Sequence, residues 1–319
     1  MMFPPPMAHG RATHFVEEVS KPSVIWTGCI SNCLEYEHQD ADWKNNKMKR
    51  EAIKMYGAIF SGVDVRDYKM VCTATAYDFP EEFELETVRI KNQGAVGSCV
   101  AHALSSIIEY YNATQRGDKT EMSTGYIYGN RSNSEHKDSG MIMRDALDVV
   151  KKYGDVPKEY FPQNIETPMA LKLYERKADE LYDIGRPNRI SEYCRINTVT
   201  AAKLALSAGV PLLMAMEWYA DMHLEDGVLK TNYSGYEGGH CMFIYGWDER
   251  GWKIQNSWGK DWGINGTFIL PYEIGMAECW AVLDDIIEGA CVKKPFSSKI
   301  GKFFAKIINA VCNFFRVTK

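Results

Sequence analysis

The chain has 319 residues, 45% of them hydrophobic and 25% charged, and a net charge of −5. That length supplies one large domain or two lobes with short appendages, and the composition is ordinary for a globular protein. The acidic balance argues against a general nucleic-acid binder, and no run approaching ~18 uninterrupted apolar residues marks a membrane-spanning helix.

Residues 1–77 are the least patterned part. The Pro-rich opening lacks a charged stretch leading into an apolar run, so it does not read as a secretory signal. The nine cysteines are odd in number and scattered. Without a signal they read as reduced thiols in an intracellular, reducing compartment. Cys29 and Cys33 are spaced C-x3-C with no second pair of ligands nearby, so no metal and no cofactor is expected. Met48, Ala52, Met55 and Ile59 fall at helical spacing, which predicts a helix between Trp43 and Phe60.

From about Asp78 to Glu288 the pattern reads as one continuous body. Val100 to Tyr111 has the apolar face of a helix, and Met141 to Lys152 predicts a second, ended by Tyr153-Gly154. The period then changes. Val210–Met216, His240–Tyr245, Gly251–Asn256 and Gly266–Leu270 are short apolar or alternating runs set between glycines, and read as strands. A helical first lobe followed by a β second lobe makes an α+β protein, with a ligand cleft expected between the lobes.

Three segments carry chemistry. In the first, Cys99 follows Gly97-Ser98 and opens the predicted helix. A helix N-terminus carries partial positive charge and unpaired N–H groups, which favour a thiolate. Taken alone, such a cysteine is as readily buried and inert. Gln93, six residues earlier on the same loop, offers an amide donor for a developing oxyanion. In the second segment, His240 follows two glycines at the mouth of a strand, where little bulk keeps it from a partner. His223, in the predicted loop from Tyr219 to Gly227, is the rival base, and His102 lies one helical turn past Cys99. In the third, Asn256 ends a strand before Ser-Trp-Gly. An Asn carbonyl accepts from an imidazole N–H and fixes the ring. Trp258 can cover that bond.

These strings, Asn92-Gln-Gly-Ala-Val-Gly-Ser-Cys99, Gly239-His240, Asn256-Ser-Trp-Gly259 and Trp262-Gly-Ile-Asn-Gly266, resemble the papain-like cysteine peptidases, in the family's order and over about residues 78 to 285. The resemblance implies a two-lobe fold, helical on the left and barrel-like on the right. It also implies peptide hydrolysis by a Cys99 thiolate paired with His240, with Asn256 orienting the ring and Gln93 in the oxyanion hole. Gly140 would bind an extended substrate backbone. Ala215 and Gly238, with Gly239 and Trp258 beside them, would line the substrate cleft and leave an open pocket for a bulky apolar side chain. The chain departs from the family at Val96, where a disulfide-forming cysteine is usual, which fits a reducing compartment. It departs again at Val100, His102 and Cys241. Two other readings share parts of this pattern: another thiol acyl transferase, such as an amidase or transglutaminase-like enzyme, and a non-catalytic papain-like binding or virion protein.

The resemblance divides the chain into an extension, 1–77, a peptidase domain, 78–288, and a tail, 289–319. The extension reads either as a removable pro-segment or as a structural appendage. The tail places Phe296, Ile300, Phe303, Phe304, Ile307 and Ile308 at helical spacing and carries seven Lys or Arg with no acid after Glu288. A basic amphipathic helix of that kind lies on an anionic membrane surface or docks on a partner protein.

Overall fold

A computed structural model describes residues 56–70, 78–131, 140–161 and 180–284. Cys29, Cys33 and the tail 293–319 lie outside the described residues.

The first lobe is built on helix α1, Cys99–Tyr111, every residue of which is buried. Its start is made by a tight loop: Val96 N–H donates to Gln93 O and Ser98 N–H to Val96 O, at 3.2 and 2.8 Å. Helix α2, Thr124–Gly129, is capped by Ser123, whose Oγ accepts from Tyr126 N–H at 3.0 Å. A two-residue strand, β3, Met141–Ile142, runs into helix α3, Met143–Tyr153. Asp145 in the first turn and Lys151 and Lys152 in the last complement its dipole, and Gly154, at φ 71°, ends it.

The second lobe is a mixed sheet. Its strands are β4 (Glu192–Arg195), β5 (Leu212–Tyr219), β6 (His223–Glu225), β7 (Val228–Lys230), β8 (Tyr236–Asp248), β9 (Gly251–Gln255), β10 (Thr267–Pro271) and β11 (Glu278–Leu283). They run in the order β4-β11-β5-β8-β9-β10-β7-β6. The 13-residue β8 joins the two halves: its early part pairs with β5 and its later part with β9. A further strand, β2 (Phe83–Glu84), pairs with the end of β8. The outer strands β4 and β6 do not pair with each other among the described residues, so the right lobe curves without closing into a barrel. Helix α4, Val199–Ser207, capped by Thr198, packs beside β5 and β8. The lobes are pinned by Tyr111, whose hydroxyl donates to Val282 O at 2.6 Å, and by Tyr110, which donates to Gly209 O at 3.1 Å.

One expectation is overturned. The helical spacing of Met48, Ala52, Met55 and Ile59 predicts a helix from Trp43 to Phe60; its stretch up to residue 55 lies outside the described residues, and residues 56–60 are not helical. Ala58–Ile59 form a strand, β1, paired in parallel with β3. Met141 N–H donates to Gly57 O at 2.7 Å. Contacts from distant segments override a local spacing that short windows cannot separate from a half-buried strand. His223 is also not in a loop; it lies in β6.

Candidate active site

Cys99 sits at the first position of α1 and His240 in β8, on opposite lobes. Both are fully buried. The His240 ring has one firm partner: Nε2 lies 2.8 Å from Asn256 Oδ1. The same Oδ1 accepts from Ser257 N–H at 2.7 Å, which fixes which end of the amide is oxygen. Oδ1 can only accept, so Nε2 carries the hydrogen and the neutral ring presents its lone pair on Nδ1. Nδ1 is buried without a hydrogen-bond partner. Trp258 stacks on the imidazole with centroids 4.5 Å apart at 25° and covers the His240–Asn256 bond. Trp218 meets the same ring edge-on at 5.4 Å.

Burial dominates the electrostatics. It pushes the Cys99 thiol up, against backbone hydrogen bonds from Cys241, Gly57 and Val100 that pull it down. Burial likewise pushes His240 down, to about 4, although the Asn256 bond favours its protonated form. The site is therefore held as thiol and neutral imidazole.

Gln93 is buried on the loop before α1. Its Nε2 donates to Val96 O at 2.8 Å and its Oε1 accepts from Ser257 Oγ at 2.6 Å. His102 turns back along its helix, with Nδ1 2.9 Å from Ser98 O. His223 is exposed, beside Asp221 O and Glu225, and is not part of this arrangement.

Tyr56 and Gly57, at the end of the helix that the spacing predicts, fill the cleft. Tyr56 lies edge-on to both His240 and Trp258 at 6.1 Å and stacks with Trp218 at 6.4 Å. Three glycines make room for it. A Cβ on Gly140, at φ 97°, would lie 2.6 Å from Gly57 O. One on Gly238 would lie 2.6 Å from Tyr56 Cβ, and one on Gly239 2.1 Å from Ala58 O. Gly140, Gly238 and Gly239 thus line the channel through which backbone passes, and the chain itself occupies it.

The strand register places Ala215 between Cys241 of β8 and Glu278 of β11. Across the strand pair from Ala215, the Glu278 side chain is 1% exposed and its Oε2 accepts from Ser61 N–H at 2.7 Å. Tyr56, Gly57 and Glu278 were not singled out by the sequence. Only Glu278 left a signal, as a lone acid opening the apolar run Cys279–Leu283. Among the described residues no three His, Cys, Asp or Glu side chains are grouped as metal ligands.

Comparison with known proteins adds to this geometry. The family profile described as "Papain family cysteine protease" matches residues 74–281. An uncharacterized peptidase C1-like protein, L477, of Acanthamoeba polyphaga mimivirus is 28% identical over 204 residues, 57% of this chain and 64% of that protein. Cathepsin B-like CP3 of Giardia intestinalis is 28% identical over 202 residues, 60% of this chain and 67% of that one. Among solved structures, xylellain, a cysteine protease from Xylella fastidiosa, superposes with a TM-score of 0.66 at 26% identity, covering 75% of this chain and 99% of that one.

Proposed function

The chain belongs to the papain family of cysteine proteases, and from that premise we propose that it hydrolyses peptide bonds with Cys99 as nucleophile, His240 as general base and acid, and Asn256 as the orienting group. The observation that carries this reading is the 2.8 Å bond from His240 Nε2 to Asn256 Oδ1 under Trp258. It leaves Nδ1 as the nitrogen that takes the thiol proton. The thiolate adds to the scissile carbonyl carbon. The oxyanion is met by the Cys99 N–H, at the start of the helix, and by Gln93 Nε2. Collapse expels the amine, which takes the proton from His240. Water, deprotonated by the same ring, then opens the thioester and restores the thiol.

Residues 56–70 are a strap that holds this site shut. The Gly57 backbone packs against the Gly97 carbonyl on the loop that leads into Cys99, and Tyr56 shields His240. When the strap leaves, water enters, the thiol pKa falls and the imidazole pKa rises, so the ion pair forms.

Labelling of the intact chain by a peptidyl epoxide, mapped by mass spectrometry, tests the reading. Label on Cys99, absent in Cys99→Ala, is expected; a folded chain that takes no label under any condition contradicts it.

A further inference from the structure

Beyond Phe60 the strap ends on a cluster of charges remote from Cys99. Arg144, in the first turn of α3, forks onto Asp67: its Nε donates to Oδ1 at 2.8 Å and an Nη to Oδ2 at 2.7 Å. Arg195, at the end of β4, donates from Nε to the same Oδ2 at 3.2 Å. The two guanidiniums also take the strap backbone. Arg144 donates to Ser61 O and Gly62 O at 3.1 and 3.0 Å, and Arg195 to Gly62 O at 2.7 Å. Both lie over the face of Trp280, at 5.6 and 4.7 Å from its centroid. The Asp67 side chain is 3% exposed and that of Arg195 8%.

Four groups are in contact here: two arginines, Asp67 from the strap, and Glu278, whose Oε1 lies 3.3 Å from Arg195. Asp148, one turn along α3, is engaged by the Tyr193 hydroxyl at 2.6 Å. The cluster is neutral only while the strap is in place. When residues 56–70 leave, Asp67 leaves with them. Two arginines then face one carboxylate, with a planar fork, a rigid indole floor and an empty place shaped to a carboxyl group. A guanidinium pair of that kind selects a carboxylate by bidentate geometry as well as by charge.

We propose that Arg144 and Arg195 form a subsite for an acidic side chain, Asp or Glu, of the peptide substrate, and that Asp67 fills it in the closed chain. The site lies past Met141–Ile142 from Cys99, so the acidic residue is a few positions from the scissile bond rather than beside it. The inference rests on the reading that the strap vacates the cleft.

The test uses the full chain. In the Cys99→Ala, Asp67→Asn double variant, binding is measured for decapeptides carrying one Asp at successive positions and for their Asn counterparts. At one position the Asp peptide is expected to bind at least tenfold tighter than its Asn partner, and adding Arg144→Gln removes that difference. Because Cys99 is absent, binding is read whether or not the wild type is a peptidase; that question is answered separately by hydrolysis of the same peptides with Cys99 present. No Asp preference at any position, or no binding of either set, overturns the proposal. A second measurement does not depend on strap release. In Asp67→Ala, acetate at constant ionic strength is expected to raise the melting temperature, and in Asp67→Ala, Arg144→Gln it is not. An equal response of both to acetate overturns the proposal.

Discussion

A Cβ on Gly57 would lie 1.8 Å from the carbonyl oxygen of Gly97, two residues before the nucleophile. The strap therefore approaches the active-site loop more closely than any other residue type allows. Gly57→Val cannot keep this contact. The variant is expected to fold and to take epoxide label at Cys99 at least tenfold faster than wild type. Equal rates, measured by intact mass against time, would contradict a shutter at Gly57.

Substitutions in the site separate its roles. His240→Ala removes base and acid together and is expected to lower kcat by about 10²–10⁴. Gln93→Ala is expected to cost about 10²–10³ in kcat, the scale of one oxyanion donor. Asn256→Ala leaves the ring but not its orientation, and lowers kcat by about tenfold or more with little change in KM. Steady-state kinetics on a fluorogenic peptide, in the Gly57→Val background, reads all three.

The closed form is sensitive to acid. Burial holds His240 down to about 4, against about 6.5 for a free imidazole. Between those values an opened or unfolded chain binds a proton that the closed chain does not. Stability is thus full above pH ~6.5 and declines as pH falls toward 4, by about 3 kcal/mol at most from this group. The melting temperature of wild type is expected to fall across that window, and that of His240→Gln to fall less steeply. Parallel slopes would show that His240 is not the group responsible.

A buried ion pair braces the loop that carries Gln93. Lys91 Nζ lies 2.6 Å from Glu109 Oε1, with side chains 4% and 7% exposed, and Glu109 Oε1 also accepts from Met122 N–H at 2.8 Å. Lys91→Met strands the carboxylate in the core and is expected to destabilise by about 3–5 kcal/mol. Urea unfolding, with the midpoint lowered at unchanged slope, is the check.

The sequence carried the parts of the site that are local. Cys99 at a helix start, Gln93 on the loop before it, and Asn256-Ser-Trp at a strand end each declare themselves within a few residues, and the motifs' order links them. β5, β8, β9 and β10 were legible because their apolar runs are bounded by glycines. The strap was not. Tyr56 and Gly57 owe their conformation to Gly97, Met141 and Gly238, all distant in sequence, while their own spacing favours a helix. The Asp67–Arg144–Arg195 cluster was hidden for the same reason: its members sit on a turn, a helix and a strand edge that meet only in the fold. Glu278 stands as an acid before the apolar run Cys279–Leu283, but nothing near it in the sequence names its partners.

Covalent catalysis by Cys99, served by His240, is the proposal on which the other predictions rest. The most direct measurement traps the acyl-enzyme: a peptide ester is mixed with the Gly57→Val chain, quenched in acid, digested and weighed. The prediction is an acyl mass on the peptide containing Cys99, discharged by water in the parent and persisting when His240→Ala is added. Peptide hydrolysis with no adduct at Cys99, or an adduct whose discharge is indifferent to His240, would contradict it.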